Sequence, residues 1–162
     1  MKYADIILND VANAPGVCVS FYVQGCPHHC PGCFNPGTWD FEGGKEFTNE
    51  TLETIINGLT ANGIQRSLAI LGGEPMCDEN IFLTLLVIKE AKRKVPNVKV
   101  YIWTGYILED LLKSSNPHVL EVLQSADVLI DGPFIQEQRD ITLKMRGSKN
   151  QRVIELDFTK KI

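Results

Sequence analysis

The stretch VCVSFYVQG, residues 17–25, runs directly into CPHHCPGC, residues 26–33. Its β-branched and aromatic residues from Val17 to Val23 predict a buried strand, stopped at Gln24-Gly25, with the cysteines in the loop beyond. An apolar run ending in glycine returns three times. Ser67 to Leu71 enters Gly72-Gly73, Val98 to Trp103 ends at Thr104-Gly105, and Val128 to Asp131 ends at Gly132-Pro133. Helical spacing fills the gaps. Thr48 reads as a helix N-cap ahead of Leu52, Ile55, Ile56 and Leu59. Asp78 is placed to cap a helix over 79–95 that Pro96 stops. A third helical segment starts near Leu108, breaks at Asn116-Pro117 and resumes through Val122. Strand, helix, strand, helix is the signature of parallel βαβ units. Ligands of such sheets gather beyond the carboxyl ends of the strands. The cysteine loop and the Gly72-Gly73 turn are therefore expected to face one site.

Outside that core the pattern is plainer. Tyr3 to Leu8 predicts an edge strand, Asn13 to Gly16 a turn, residues 31–47 a loop, and Arg152 to Leu156 a last strand. At 162 residues the chain fits one domain, over 1–162. It is short for a complete eight-fold β/α barrel, which takes about 200 residues or more. The expected fold class is α/β, a partial barrel of parallel strands.

Hydrophobic residues make up 44% and charged residues 22%, the balance of a globular protein and not of a disordered one. Lys plus Arg number 16 against 20 Asp plus Glu, a net charge of -4, which argues against nonspecific nucleic-acid binding. No apolar run approaches the ~18 residues of a membrane span. The start, Met1 to Asp5, lacks a signal-peptide layout, so the expected location is cytoplasmic, with no membrane and no nucleic-acid partner.

Of five cysteines, Cys26, Cys30 and Cys33 fall within eight residues; Cys18 and Cys77 stand apart. Three thiolates on one tight loop can hold a single metal or one face of a cluster. A structural zinc site asks for four protein ligands. His28 and His29, between the first two cysteines, read as spacers in so short a loop. Iron–sulfur clusters usually take four thiolates. Three leave one iron open, as a site that binds a reacting group requires. A closed cluster completed by Cys77 or Cys18 stays an alternative, with Cys18 placed in the core by strand parity and Cys77 near the site.

The loop from Cys26 to Asn35 resembles the signature of radical S-adenosylmethionine enzymes. Gly72-Gly73-Glu74-Pro75 is similar to that family's GGE-P turn. Residues 100–106 (VYIWTGY), 127–134 (DVLIDGPF) and 146–151 (RGSKNQ) are similar to one subgroup, the activating proteins of anaerobic ribonucleoside-triphosphate reductases. The resemblance runs from Pro15-Gly16 to Gln151, with Ala14 where the subgroup carries glycine.

This resemblance implies a [4Fe–4S] cluster on Cys26, Cys30 and Cys33, with S-adenosyl-L-methionine on the fourth iron. One electron cleaves the cofactor, and the 5′-deoxyadenosyl radical takes a hydrogen atom from a glycine Cα of the partner reductase. It further implies that Gly72 and Gly73 admit the methionine and that Glu74 meets its ammonium. Phe34, with the backbone of Gly32 and Cys33, lies against the adenine. Thr104 and Asp131 serve a ribose or a monovalent cation, with a turn-capping role for Asp131 as the alternative. Arg146, Asn150 and Gln151 either close the site and touch the reductase or form a plain surface loop. The implied electron donor is a flavodoxin or a ferredoxin. Two other readings compete: a radical enzyme acting on a small molecule, like the 7-carboxy-7-deazaguanine synthases, and a non-catalytic metal or electron-transfer module. The short chain favours a protein substrate, because an incomplete barrel is open on one side and the partner can supply the missing wall.

Overall fold

Alternation along the strand Cys18–Val23 sets the two faces of the sheet. Side chains of a strand point alternately to opposite sides. Val19, Phe21 and Val23 enter the larger core; Cys18 and Tyr22 enter a second cluster on the other face. The computed structural model describes residues 1–158, so the last four residues of the expected 1–162 domain lie outside the described residues.

The strands are β1 (Lys2–Asp10), β2 (Cys18–Val23), β3 (Lys45–Glu46), β4 (Ser67–Gly72), β5 (Val100–Trp103), β6 (Val128–Asp131) and β7 (Arg152–Glu155). The helices are α1 (Asn49–Gly58), α2 (Asp78–Lys94), α3 (Leu108–Leu111) and α4 (Pro117–Ser125). One seven-stranded sheet runs β3-β1-β2-β4-β5-β6-β7. Its centre, β2-β4-β5-β6, is parallel. Its flanks are antiparallel, β1 on β2, β3 on β1 and β7 on β6. The fold is therefore mixed α/β, and the sheet is not closed, with β3 and β7 as its edges. Parallel strands throughout were expected. On the β1 side the connection is too short: only residues 11–17 join β1 to β2, and parallel pairing needs a dozen residues or more; on the β7 side residues 132–151 return without an α-helical crossover.

Two expectations at the edges shift in the same way. β1 is not an edge strand, because Lys45 and Glu46 pair outside Tyr3 and Lys2. Residues 31–47 hold that strand and a 3₁₀ turn at Pro36–Thr38. Thr48 caps α1 as predicted, accepting from Thr51 N within a capping box. Asp78 does not cap α2; it is the first helical residue. Cys77 occupies the cap, its side chain making no bond to the helix amides, and Asp78 accepts from Asn116 instead.

The larger core lies between the helices and one face of the sheet. Ile55, Ile81, Ile88, Val122 and Leu123 pack there against Leu68, Ile70, Ile102 and Leu129. The other face is covered by chain, not by helix. Ala14, from the β1–β2 loop, and Met145, from residues 132–151, pack over Ala69, Leu71, Tyr101 and Trp103. Trp103 Nε1 donates to Met145 O at 2.7 Å, tying that long loop down. Because β7 is antiparallel to β6, the loop starts and ends beyond the carboxyl edge of β6. There it borders a cavity of about 530 Å³.

Candidate active site

Three segments meet at the carboxyl edge: the cysteine loop after β2, the Gly72–Pro75 turn after β4, and Thr104–Tyr106 after β5. Their joints are backbone hydrogen bonds. Gly25 N donates to Thr38 O at 2.7 Å, Cys26 N to Trp39 O at 3.1 Å, Gly73 N to Val23 O at 3.0 Å and Glu74 N to Gly25 O at 2.8 Å. The last two press the turn against the strand end so closely that a Cβ on Gly73 would stand 2.3 Å from Gly25 O. Only glycine fits there. Helix α2 locks the joint from behind. Asn80 Nδ2 donates to both Gly25 O and Glu74 O, and Thr84 Oγ1 to Pro75 O, all buried.

Cys26, Cys30 and Cys33 all line the cavity. A Cys30–Cys33 turn is closed by Cys33 N donating to Cys30 O at 3.1 Å, and Asn35 N donates to Cys33 Sγ at 3.3 Å. Burial pushes the Cys26 thiol up from its ordinary value, with the Glu74 carboxylate adding to the rise. The backbone N–H groups of His28 and His29 pull the other way. Among the described residues no three His, Cys, Asp or Glu side chains come together around a single ion. A four-iron cluster asks for another spacing, one thiolate per iron at separate corners. Three cysteines spread along one cavity wall, with an amide hydrogen on the Cys33 sulfur, fit such a cluster. Trp39 Nε1, beside the loop, is buried with no acceptor among the described residues, a donor that an acceptor-bearing group at this wall would satisfy.

Glu74 is neither in solvent nor free. It is 1% exposed and takes four hydrogen bonds. Oε1 accepts from Met76 N at 2.9 Å and Thr104 Oγ1 at 2.7 Å; Oε2 accepts from Gly105 N and His28 Nε2, each at 2.7 Å. The carboxylate thus joins all three segments. Thr104 is committed to it as donor and accepts from Tyr106 N. Burial, with Glu74 next, pushes the Tyr106 hydroxyl up to about 12.

The cavity gathers most of the residues singled out from sequence: the three cysteines, Phe34, Gly72, Gly73, Glu74 and Thr104. Phe34 is 55% exposed, tilted on Phe134 at 4.9 Å and overlaid by the Arg139 guanidinium at 5.3 Å. Gly32 sits outside the lining, at φ 76, against the Gln136 side chain. Asp131 is buried one residue short of the cavity. Its carboxylate accepts from Leu108 N at 2.8 Å, capping α3, and pairs with Arg152. Arg146 and Gln151 line the cavity, and with Asn150 they brace the long loop through the carbonyls of Lys149, Gln151, Gly132 and Pro133. Cys77 lies behind the turn, not on the cavity. Its Sγ donates to Glu74 O at 3.2 Å, and burial pushes the thiol up to about 12. Cys18 is fully buried on its strand. His28 and Asn80 belong to the site and were not anticipated from sequence; Gly105 was marked there only as a glycine ending a strand at the ligand edge, not as the floor beneath the His28 ring.

Comparison with known proteins agrees with this geometry. A family model described as "4Fe-4S single cluster domain" matches residues 12–154. A protein of Vibrio cholerae is 39% identical over 93% of this chain and 96% of its own length. One of Escherichia coli K12 is 35% identical over 96% and 99%. One of Enterobacteria phage T4 is 36% identical over 94% and 93%. All three are named anaerobic ribonucleoside-triphosphate reductase-activating protein. With a cysteine-lined cavity in place and identity of this order along almost the whole chain, the protein belongs to the family of anaerobic ribonucleoside-triphosphate reductase-activating proteins.

Proposed function

We propose that the chain is an iron–sulfur activase that installs the glycyl radical of an anaerobic ribonucleoside-triphosphate reductase. The observation that carries this is the single cavity onto which the cysteine loop, the Gly72–Glu74 turn and Thr104 all open. Cys26, Cys30 and Cys33 would hold a [4Fe–4S] cluster, and S-adenosyl-L-methionine would bind beside it. When bound, the reduced cluster and this cofactor would supply the radical chemistry that removes a hydrogen atom from the reductase glycine.

The chain's own residues bind, orient and exclude. Gly72 and Gly73 let the methionine part lie against backbone, and Glu74 holds the turn beneath it. Phe34 and Cys33 border the adenine, with Gly32 shaping their turn from outside the lining. Thr104 reaches the site through Glu74. Asp131 acts through the Gly132 turn that it supports, not as a direct ligand. We read the parallel centre with open edges as a partial β/α barrel of the radical S-adenosylmethionine kind, in one domain. Electrons come from a flavodoxin- or ferredoxin-type protein, in the cytoplasm. No helix of the described residues is long and apolar enough to cross a membrane.

Anaerobic reconstitution with iron and sulfide tests the reading. The dithionite-reduced protein is expected to cleave S-adenosyl-L-methionine and to place an EPR glycyl doublet on a co-expressed anaerobic reductase. A reconstituted protein that leaves the cofactor intact overturns the enzyme assignment. Cleavage without the doublet overturns the protein substrate and leaves a small-molecule enzyme.

A further inference from the structure

Two histidines sit between Cys26 and Cys30, and the fold uses them differently. His29, in the left-handed region at φ 49, stacks on Trp39 at 4.7 Å. His28 turns inward. Its Nε2 donates to Glu74 Oε2 at 2.7 Å, and its ring meets Tyr106 edge-on at 4.5 Å. Space for the ring exists because residue 105 is glycine. A Cβ there would stand 2.5 Å from His28 Cδ2 and 2.7 Å from Nε2. A spacer in a loop needs neither an anchor, nor an aromatic wall, nor a cleared floor.

The anchor is itself fixed. Met76 N, Thr104 Oγ1 and Gly105 N hold the Glu74 carboxylate from two other segments. The acceptor-only carboxylate places the hydrogen of the imidazole on Nε2. A ring fastened to so rigid a post fixes the backbone from which it hangs. That backbone is the Cys26–Cys30 segment itself, so the post fixes where two of the three cavity-lining cysteines stand. The surroundings of a ligating sulfur, its hydrogen bonds and its exposure, tune the potential of an iron–sulfur cluster.

We infer that His28 is a positioning residue. Hydrogen-bonded to Glu74, it holds the Cys26–Cys30 segment in place and so sets the surroundings, and with them the potential, of a cluster bound there. This rests on the cluster reading above. It adds to it a residue of the cysteine loop that acts without touching metal.

The test compares reconstituted His28→Ala, His28→Gln and His28→Asn with the parent. Readouts are iron content, midpoint potential by EPR-monitored redox titration, and kcat and KM for S-adenosyl-L-methionine cleavage. His28→Ala is expected to shift the potential away from the parent's and to lower kcat roughly tenfold or more, the usual cost of losing a partner behind a metal ligand. KM should change less. Gln, whose amide reaches the Nε2 position, should restore the potential towards that of the parent. Asn, which is shorter, should not. A His28→Ala protein with the parent's potential overturns the inference, even if its apoprotein melts lower. Should the Ala variant fail to fold, equal potentials for Gln and Asn overturn it as well. The potential is read without reductase. A parent that loads a cluster but makes no glycyl radical therefore sinks the activase reading alone.

Discussion

At the scale of the residue, Glu74 decides how tightly the site is built. Four donors end on one buried carboxylate, and two of them are backbone N–H groups with no other acceptor nearby. Orphaning a buried donor costs ~1–3 kcal/mol. Glu74→Ala is therefore expected to destabilise the apoprotein by about 3 kcal/mol, read by urea unfolding, before any cofactor is considered. An unchanged midpoint would mean that water replaces the carboxylate without loss. Cys77 gives the opposite expectation. Its thiol stays protonated, faces Glu74 O and lies off the cavity. Cys77→Ser should keep the parent's iron content after reconstitution, because the hydroxyl can donate to the same carbonyl. Loss of iron in this variant would show a fourth thiolate at the cluster. Sequence placed the three cysteines and the glycine-glutamate turn. It did not place His28 on Glu74, because 46 residues separate them and no local spacing reports that contact.

At the scale of the element, legibility followed how local the physics is. The Thr48 cap was readable because its capping box closes within three residues. The parity of β2 was readable because alternation is a property of the strand alone. The cap of α2 was misread by one residue: Asp78 has the right side chain, but the extended backbone falls at Cys77, at φ -74 and ψ 159. The antiparallel flanks and the crossing of residues 132–151 over the open face depend on distant partners, such as Met145 under Trp103, and no periodicity announces them. Helix α2 also carries function in a place that pattern reading assigns to packing. Asn80 spans Gly25 O and Glu74 O, so it fixes the distance between the cysteine loop and the turn. Asn80→Ala is expected to raise KM for S-adenosyl-L-methionine several-fold, on the scale of ~1 kcal/mol per lost hydrogen bond, with iron content little changed. Equal losses of both would mean that Asn80 supports the loop as a whole and not its alignment with the turn.

At the scale of the molecule, the unclosed sheet is an argument about the substrate. The cavity is open to solvent on one side, where a small-molecule enzyme would need a wall to exclude water. Where a wall is missing, the long loop presents Ile141, 82% exposed at the rim. An apolar side chain so exposed contributes little to folding, and a charge in its place changes stability by only about 0.5 kcal/mol. It is well placed to be covered when a protein partner closes the cavity. Phe34, on the cysteine loop, adds exposed apolar surface to the same mouth. Burying an isoleucine at an interface is worth ~1.5–3 kcal/mol. Ile141→Asp should accordingly lower the yield of glycyl radical on the reductase by roughly ten-fold at sub-saturating partner. Cleavage of S-adenosyl-L-methionine without the reductase should fall much less. The measurement is the ratio of EPR glycyl spins to 5′-deoxyadenosine formed, at several reductase concentrations, with recovery of the ratio as the partner is raised. A variant in which both fall together would place Ile141 on the small cofactor and not on the partner's side of the opening.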